Sequence, residues 1–345
     1  LRYHYAWPHS LETLARGSII ANLRRRPWRL LLVGLLLLAN ARVVWRYSRQ
    51  CDMIHAQWII SALFPVLFKF WHRRPVVVTI QGSDLNAMRG KLGSALNRFI
   101  LRRCDHVIPM TQVQFDEIRH VAQDSTLVPN GVDDEAFRPC APDERVSLRA
   151  ELGFPAQEVI VLYVGMLIPV KGLDLLVAVF DKLRGAELPP YRCILVGDGP
   201  ERQRLEARVR ELGLDDRFYF AGSTEPALIP RWTRAADIAV STSHTEGLST
   251  TLCEAAACEL PIVATRAGDT RIIVEHGESG FIVENRDADA YSAHLAGLIR
   301  EPELRSRFGH RGRQRLLARK LTTRDCAAGY AEVYMKCLGS SARLS

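Results

Sequence analysis

Apolar residues in this chain gather in short runs, and the stretches between the runs repeat them at helical intervals. In the first half the runs at 53–54, 76–80, 107–108 and 126–128 predict strands, with helical patterns between them, as in Phe99-Ile-Leu-Arg-Arg and Val113-Gln-Phe-Asp-Glu-Ile. The second half is more regular. Strands are predicted at 159–164, 193–196, 218–220, 238–240, 262–264 and 281–283, each followed by Gly, Pro or polar turn residues and then a helical pattern. Strands that alternate with helices imply α/β architecture with parallel sheets. A Pro-Cys-Ala-Pro stretch at 139–142 precedes a predicted helix at 143–152 and marks a domain boundary. The predicted division is 1–140, 141–322 and a terminal helical segment, 323–345.

One run is longer: Leu30-Leu-Leu-Val-Gly-Leu-Leu-Leu-Leu-Ala39, flanked by Arg24-Arg-Arg-Pro-Trp-Arg29 and Arg42-Val-Val-Trp-Arg46. A membrane span needs about 20 such residues. The run reads either as a buried core helix or as an interfacial helix with Trp and Arg at its rim. Charge sharpens this. Residues 1–140 hold 19 Lys+Arg against 10 Asp+Glu, while the remainder nets −1. Either the first half presents a solvated basic face, or it meets an anionic partner such as a membrane surface or a lipid-phosphate acceptor. Nucleic acid is not expected, since no recognition motif accompanies the charge. The eight cysteines show neither C-x2-C pairs nor ligand spacing, so reduced thiols are expected and no metal site.

The candidate chemistry centres on Glu246-Gly-Leu-Ser-Thr-Thr-Leu-Cys-Glu254. Glu246 follows the strand at 238–240 and a hydroxyl-rich loop. Glu254 lies inside an Ala-rich helix that should begin near Ser249. The carboxyl end of a parallel strand is where ligands of open sheets bind. Free N–H groups at Gly247, Leu248 and Ser249 favour phosphate, and carboxylates accept hydrogen bonds from sugar hydroxyls. A capped helix with two solvated glutamates would show the same spacing.

This segment resembles the Glu-x7-Glu signature of the retaining glycosyltransferases of family 4, the glycosyl transferases group 1. Other blocks are similar to that family in order and spacing: Tyr163-Val-Gly-Met-Leu-Ile-Pro-Val-Lys-Gly172, Leu195-Val-Gly-Asp-Gly-Pro200 and Phe220-Ala-Gly222 in the second half. In the first half Asp52-Met-Ile-His-Ala56, Thr79-Ile-Gln-Gly-Ser-Asp84 and Val128-Pro-Asn-Gly-Val-Asp133 do the same. The resemblance implies the GT-B fold, with two Rossmann-like domains facing a central cleft and a terminal helix that crosses back. It implies a nucleotide-diphosphate sugar as donor, a glycan or lipid-linked hydroxyl as acceptor, no cofactor and no metal. Polysaccharide biosynthesis at the cytoplasmic face of a membrane is the setting it suggests.

Residue by residue, the resemblance makes Lys171 the diphosphate's cation and sets Glu246 against the donor sugar. Glu254 would hold the ribose, and Gly165, Gly197, Gly199 and Gly222 would border the nucleotide. His55, Gln81, Gly82 and Asp84 fall on the acceptor side. Two departures stand out. Met166 occupies a position where the family has Arg, and Gln81 one where it often has His. The opening fifty residues also show no strand with a Gly-rich turn, so the chain reads as amino-terminally incomplete or diverged there. The rival readings are a donor-binding remnant without activity and a nucleotide-sugar epimerase.

Overall fold

A computed structural model describes residues 30–81, 85, 90–284 and 287–341. The chain divides into two compact units, Leu1–Val128 with Gly329–Ser345, and Pro129–Ala328. The division therefore falls about ten residues before the Pro-rich stretch, and the helix Thr323–Ser341 contributes to both units.

The first unit holds a parallel sheet of β1 (Ile54–Gln57), β2 (Val76–Ile80) and β3 (His106–Pro109) in the order β1-β2-β3. The register pairs Ile54 with Val76 and Val77 with His106. Every residue of β2 is buried, as a middle parallel strand covered on both faces requires. The helix Lys91–Leu101 adds Ile100 and Leu101 to its core, and Ile118 closes it from another side. Asp105 immediately precedes β3 and ties it to β2: its carboxylate accepts from Val76 N at 2.7 Å and pairs with Lys69 at 2.7 Å. The segment at 126–128 is not a strand. Only Ser125 bridges to Val107, and Val128 N donates to Pro109 O, so the run follows β3 without extending the sheet.

The long apolar run forms the helix Leu30–Tyr47, but it is not a core helix. From residue 33 to 47 no side chain is buried, and Leu38 is 67% exposed. The apolar residues lie all round the helix, and one packed side cannot cover them. The opening segment up to residue 29 lies outside the described residues.

The second unit is a six-stranded parallel sheet in the order β6-β5-β4-β7-β8-β9. Its strands are β4 (Val159–Val164), β5 (Tyr191–Val196), β6 (Phe218–Gly222), β7 (Ile238–Ser241), β8 (Ile262–Thr265) and β9 (Gly280–Val283). Helices cover both faces. Leu173–Leu183 and Ala288–Arg300 pack over one core with Phe180, Tyr291 and Leu295; Thr250–Ala257 packs over the other with Leu252, Ala256 and Ile262. Tyr291 is wholly buried, and its hydroxyl is satisfied by Val263 O at 2.7 Å.

This strand order has a functional consequence. The chain builds outward from β4 through β5 to β6, then returns to pair β7 against the other side of β4, with Val161 opposite Ile238. The connections leaving β4 and β7 therefore diverge, and a crevice opens at their carboxyl ends.

Candidate functional site

The loop after β4 carries Lys171, and the loop after β7 carries Glu246. The fold brings the two into an ion pair across 75 residues of sequence. Both are mostly shielded, Lys171 with 23% and Glu246 with 16% of the side chain exposed. Partial burial strengthens the pairing relative to a solvated bridge. The same Glu246 oxygen accepts from Ser243 Oγ at 2.8 Å, which fixes the carboxylate.

Backbone contacts lock the two loops together. Thr242 Oγ1 donates to Lys171 O at 2.8 Å, and His244 N donates to Val170 O at 2.9 Å. Gly172 sits between them at φ +61°, and a Cβ there would lie 2.4 Å from Thr242 O. Only glycine meets both conditions. Thr265 Oγ1, at the end of β8, holds Ser243 O at 2.7 Å.

Gly197 plays the matching part beside β5. At φ +140°, its added Cβ would lie 2.0 Å from Gly165 O, so the turns after β4 and β5 touch through backbone. Gly197 N donates to Gly222 O at 2.8 Å, and Gly199 lies against Leu167 O. The four glycines expected to border a nucleotide thus form one continuous set of turns at the carboxyl ends of β4, β5 and β6.

Gly247, Leu248 and Ser249 lead into the helix Thr250–Ala257. Ser249 is its N-cap residue but makes no capping bond; its Oγ meets Thr251 Oγ1 at 3.2 Å instead. The first-turn amides are therefore left without a side-chain cap, which suits an anion. Glu254 lies on this helix. Burial pushes its carboxyl up to about 7, and it has no hydrogen-bond or ion-pair partner among the described residues. A half-buried carboxylate without a partner is costly to the fold.

Three neighbours were not singled out from the sequence. Ser243 and Thr242 orient Glu246 and Lys171, and the hydroxyl-rich loop was the signal for them. Tyr163 donates to Met166 O at 3.1 Å; burial, with Glu246 nearby, holds its phenol above the usual range. Met166 itself points its side chain outward, 62% exposed. Among the described residues no three His, Cys, Asp or Glu side chains gather as metal ligands do.

In the first unit, His55 is held at both ring nitrogens: Nδ1 meets Tyr334 Oη at 2.7 Å and Nε2 meets Thr79 Oγ1 at 2.8 Å. Burial holds its pKa below the ordinary value. Gln81 Nε2 donates to Gln57 Oε1 at 2.9 Å. Gly82 and Asp84 lie outside the described residues.

Comparison with known proteins agrees with this architecture. The model of the glycosyl transferases group 1 matches residues 144–315, and that of glycosyltransferase family 4 matches residues 3–136. The second match begins well ahead of the first motif legible in the sequence. The D-inositol 3-phosphate glycosyltransferase of Segniliparus rotundus is 28% identical over 285 residues, covering 78% of this chain and 62% of that protein. The chain thus spans less than two thirds of that relative's length. The sucrose-phosphate synthase of Thermosynechococcus elongatus superposes with a TM-score of 0.75 at 24% identity, over 91% of this chain and 80% of that one. Anabaena HepE in complex with UDP gives 0.76 at 23%, over 88% and 84%. These superpositions show the fold.

Proposed function

The chain belongs to the glycosyl transferases group 1 of glycosyltransferase family 4, with the GT-B fold, and on that premise we propose that it transfers a sugar from a nucleotide-diphosphate donor to a hydroxyl of a glycan or lipid-linked acceptor. The observation that carries the reading is the Lys171–Glu246 pair at the switch point, beside an uncapped helix start and the unpaired Glu254. Lys171 and the amides from Gly247 onward face the diphosphate. Glu246 faces the donor sugar, and Glu254 accepts from the ribose hydroxyls. HepE, whose structure contains UDP, supports a nucleotide as ligand.

The proposed step retains configuration at the anomeric carbon. The bond from that carbon to the β-phosphate oxygen breaks, and the electron pair leaves with the phosphate. The acceptor oxygen bonds to the carbon on the same face, and its proton passes to the departing phosphate. Lys171 stabilises the charge that develops on that phosphate, in the place a divalent cation takes elsewhere. The test is incubation with labelled nucleotide sugars and a panel of glycan and lipid acceptors. Label transferred to an acceptor supports the proposal. Binding without transfer or hydrolysis favours the donor-binding remnant, for which Met166 and Gln81, where the family has Arg and often His, speak.

We place the enzyme at a membrane surface, attached peripherally from the cytoplasmic side. No described helix is long and apolar enough to cross a membrane. The helix Leu30–Tyr47 carries no acidic residue, and its Trp45 ring stacks on Trp71 at 4.4 Å. Phe70, 74% exposed, adjoins Trp71 in sequence, and the Arg49 guanidinium lies 4.9 Å from the Trp71 ring centroid. Exposed aromatics edged by arginine suit the headgroup region of an anionic leaflet.

A further inference from the structure

The carboxyl end of the three-stranded sheet holds side chains that the donor chemistry does not use. β1 ends at Gln57, and Gln81 directly follows β2. Gln81 Nε2 donates to Gln57 Oε1 at 2.9 Å, so the two amides form one polar rim across the strand ends. Trp58 comes next in the chain, and 46% of it is exposed.

The backbone of Trp58 is unusual, with φ +85° and ψ +136°. Among the described residues the other non-glycine residues at positive φ are Arg73, Glu259 and Lys320. They lie at +55°, +58° and +54°, the ordinary left-handed value. A bulky residue at +85° with extended ψ is strained. Its surroundings hold it there. Trp58 N donates to Thr79 O at 3.1 Å, Ser61 N donates to Trp58 O at 3.1 Å, and Ala56 and Ile59 on either side are buried in the core. Glycine would adopt the same dihedrals without that cost. The turn therefore needs no indole, and what tryptophan adds at this point is its side chain.

That side chain is uncommitted. Among the described residues no ring packs against the indole, and its Nε1–H has no hydrogen-bond partner. Gln57 is exposed too, and its amide hydrogens have no partner among the described residues. An open aromatic face beside two amides, with no charge on any of the three side chains, matches a neutral sugar. A pyranose has a face of C–H bonds that packs on an aromatic ring, and a rim of hydroxyls that donate to and accept from amides. A bare phosphate would call for guanidinium or ammonium groups instead. The carboxyl ends of the strands are also where open parallel sheets take ligands.

We propose that Trp58, Gln57 and Gln81 form a subsite for a neutral pyranose ring of the acceptor, with the indole against its C–H face and the amides on its hydroxyls. The subsite rests on the glycosyl-transfer reading and narrows the acceptor to one that presents a sugar, in place of a bare lipid phosphate.

The test is saturation-transfer NMR, which detects weak binding without turnover. The probes are methyl glucoside, galactoside, mannoside and N-acetylglucosaminide, each with saturating nucleoside diphosphate to occupy the donor crevice. At least one should bind. Its Kd should rise at least tenfold in Trp58→Ala and stay within threefold of wild type in Trp58→Phe, which keeps a ring. Trp58→Gly relieves the backbone, so it should lose the probe equally while melting no lower than Trp58→Ala. A short polyprenyl phosphate should bind wild type and Trp58→Ala alike. No signal from any pyranoside, pyranoside binding unaltered in Trp58→Ala, Trp58→Gly melting below Trp58→Ala, or dependence on Trp58 for the polyprenyl phosphate alone overturns the proposal. Glycosyl transfer is judged separately, by label moved from the donor. Pyranoside binding that depends on Trp58 without label transfer upholds the subsite and fails the transfer reading, whereas transfer to an acceptor that is indifferent to Trp58 does the reverse.

Discussion

Three shielded histidines of the three-stranded unit and Glu254 of the six-stranded unit are opposite cases of a titratable group taken out of water. In the first unit His72 and His106 are buried and His55 is partly buried; all three are held below their ordinary pKa by burial, and all are hydrogen-bonded. Their partners are structural: Tyr334 and Thr79 for His55, Pro65 O for His72, Thr126 for His106. In the second unit Glu254 is half-buried with no partner, and burial raises its carboxyl instead. A satisfied buried group holds a fold; an unsatisfied one at the mouth of a crevice destabilises the fold and is free to meet a ligand. That contrast points to the second unit as the seat of donor chemistry and to the visible polar network of the first as scaffold.

The sharpest way to break the contrast is Lys171→Ala. If Lys171 carries the diphosphate, turnover should fall by roughly 100- to 1000-fold, a few kcal/mol of transition-state stabilisation. Met166→Arg should leave activity in place, because its side chain points outward. Steady-state kinetics with a labelled donor decide it. A Lys171→Ala enzyme with full turnover removes the residue from the chemistry.

Glu254 comes next, and its two effects should oppose each other. Glu254→Gln should weaken nucleoside diphosphate binding by about 10- to 100-fold, as expected for losing a charged partner of the ribose hydroxyls. The same change should stabilise the empty protein at high pH. A carboxyl raised to about 7 in the fold, against an ordinary 4.5, costs nothing below pH 4.5. The penalty grows as pH rises from 4.5 through 7 and is complete above that, on the order of 2 kcal/mol after solvent screening. Melting at pH 4 and pH 8 checks this. A variant no more stable than wild type at pH 8 would mean that Glu254 has a partner after all.

The sequence made the second unit legible because its signals are local. The Ser-Thr-Ser loop and Glu246 share one strand end, and Lys171 follows the Gly165 turn, so each strand and its outgoing loop could be read together. What could not be read was the pairing of Lys171 with Glu246, because it depends on β7 lying beside β4. The first unit was harder for the same reason. His55 has its partner 279 residues away in Tyr334, a separation that no motif spans. The Leu30–Ala39 run shows a further limit, since hydrophobicity alone gave no sign of which of its sides would be covered.

The apolar surface of the first unit offers a third test. Vesicle sedimentation should show binding to anionic vesicles that weakens with salt, with about 1 kcal/mol from each basic residue at the leaflet. Phe70→Ala with Trp71→Ala should reduce binding at both salt concentrations, whereas Arg42→Gln with Arg49→Gln should act mainly at low salt. Equal partitioning onto neutral vesicles would leave only the aromatic part of the idea.

The smallest effect should come from Tyr334→Phe, and it bears directly on the scaffold side of the comparison. The substitution removes the hydroxyl that meets His55 Nδ1 and keeps the ring that packs beside it and Tyr330. A net loss of about 1 kcal/mol is expected at neutral pH. The pH dependence carries more information than the size. A histidine held below its ordinary 6.5 in the fold contributes stability that is fully present above 6.5 and is lost as pH falls from there toward the folded value. Removing Tyr334 Oη admits solvent to the ring and should shrink that loss, so wild type and variant should converge on acidification. The second unit's Glu254 tilts stability the other way, and His294 tilts it the same way as His55. The comparison is therefore made between Tyr334→Phe and wild type, in which both of those groups are common. Denaturant unfolding at pH 5 and pH 8 gives the two differences. A gap that is equal at both pH values would show that His55 is held by packing alone and that its hydroxyl partners do not shape its titration.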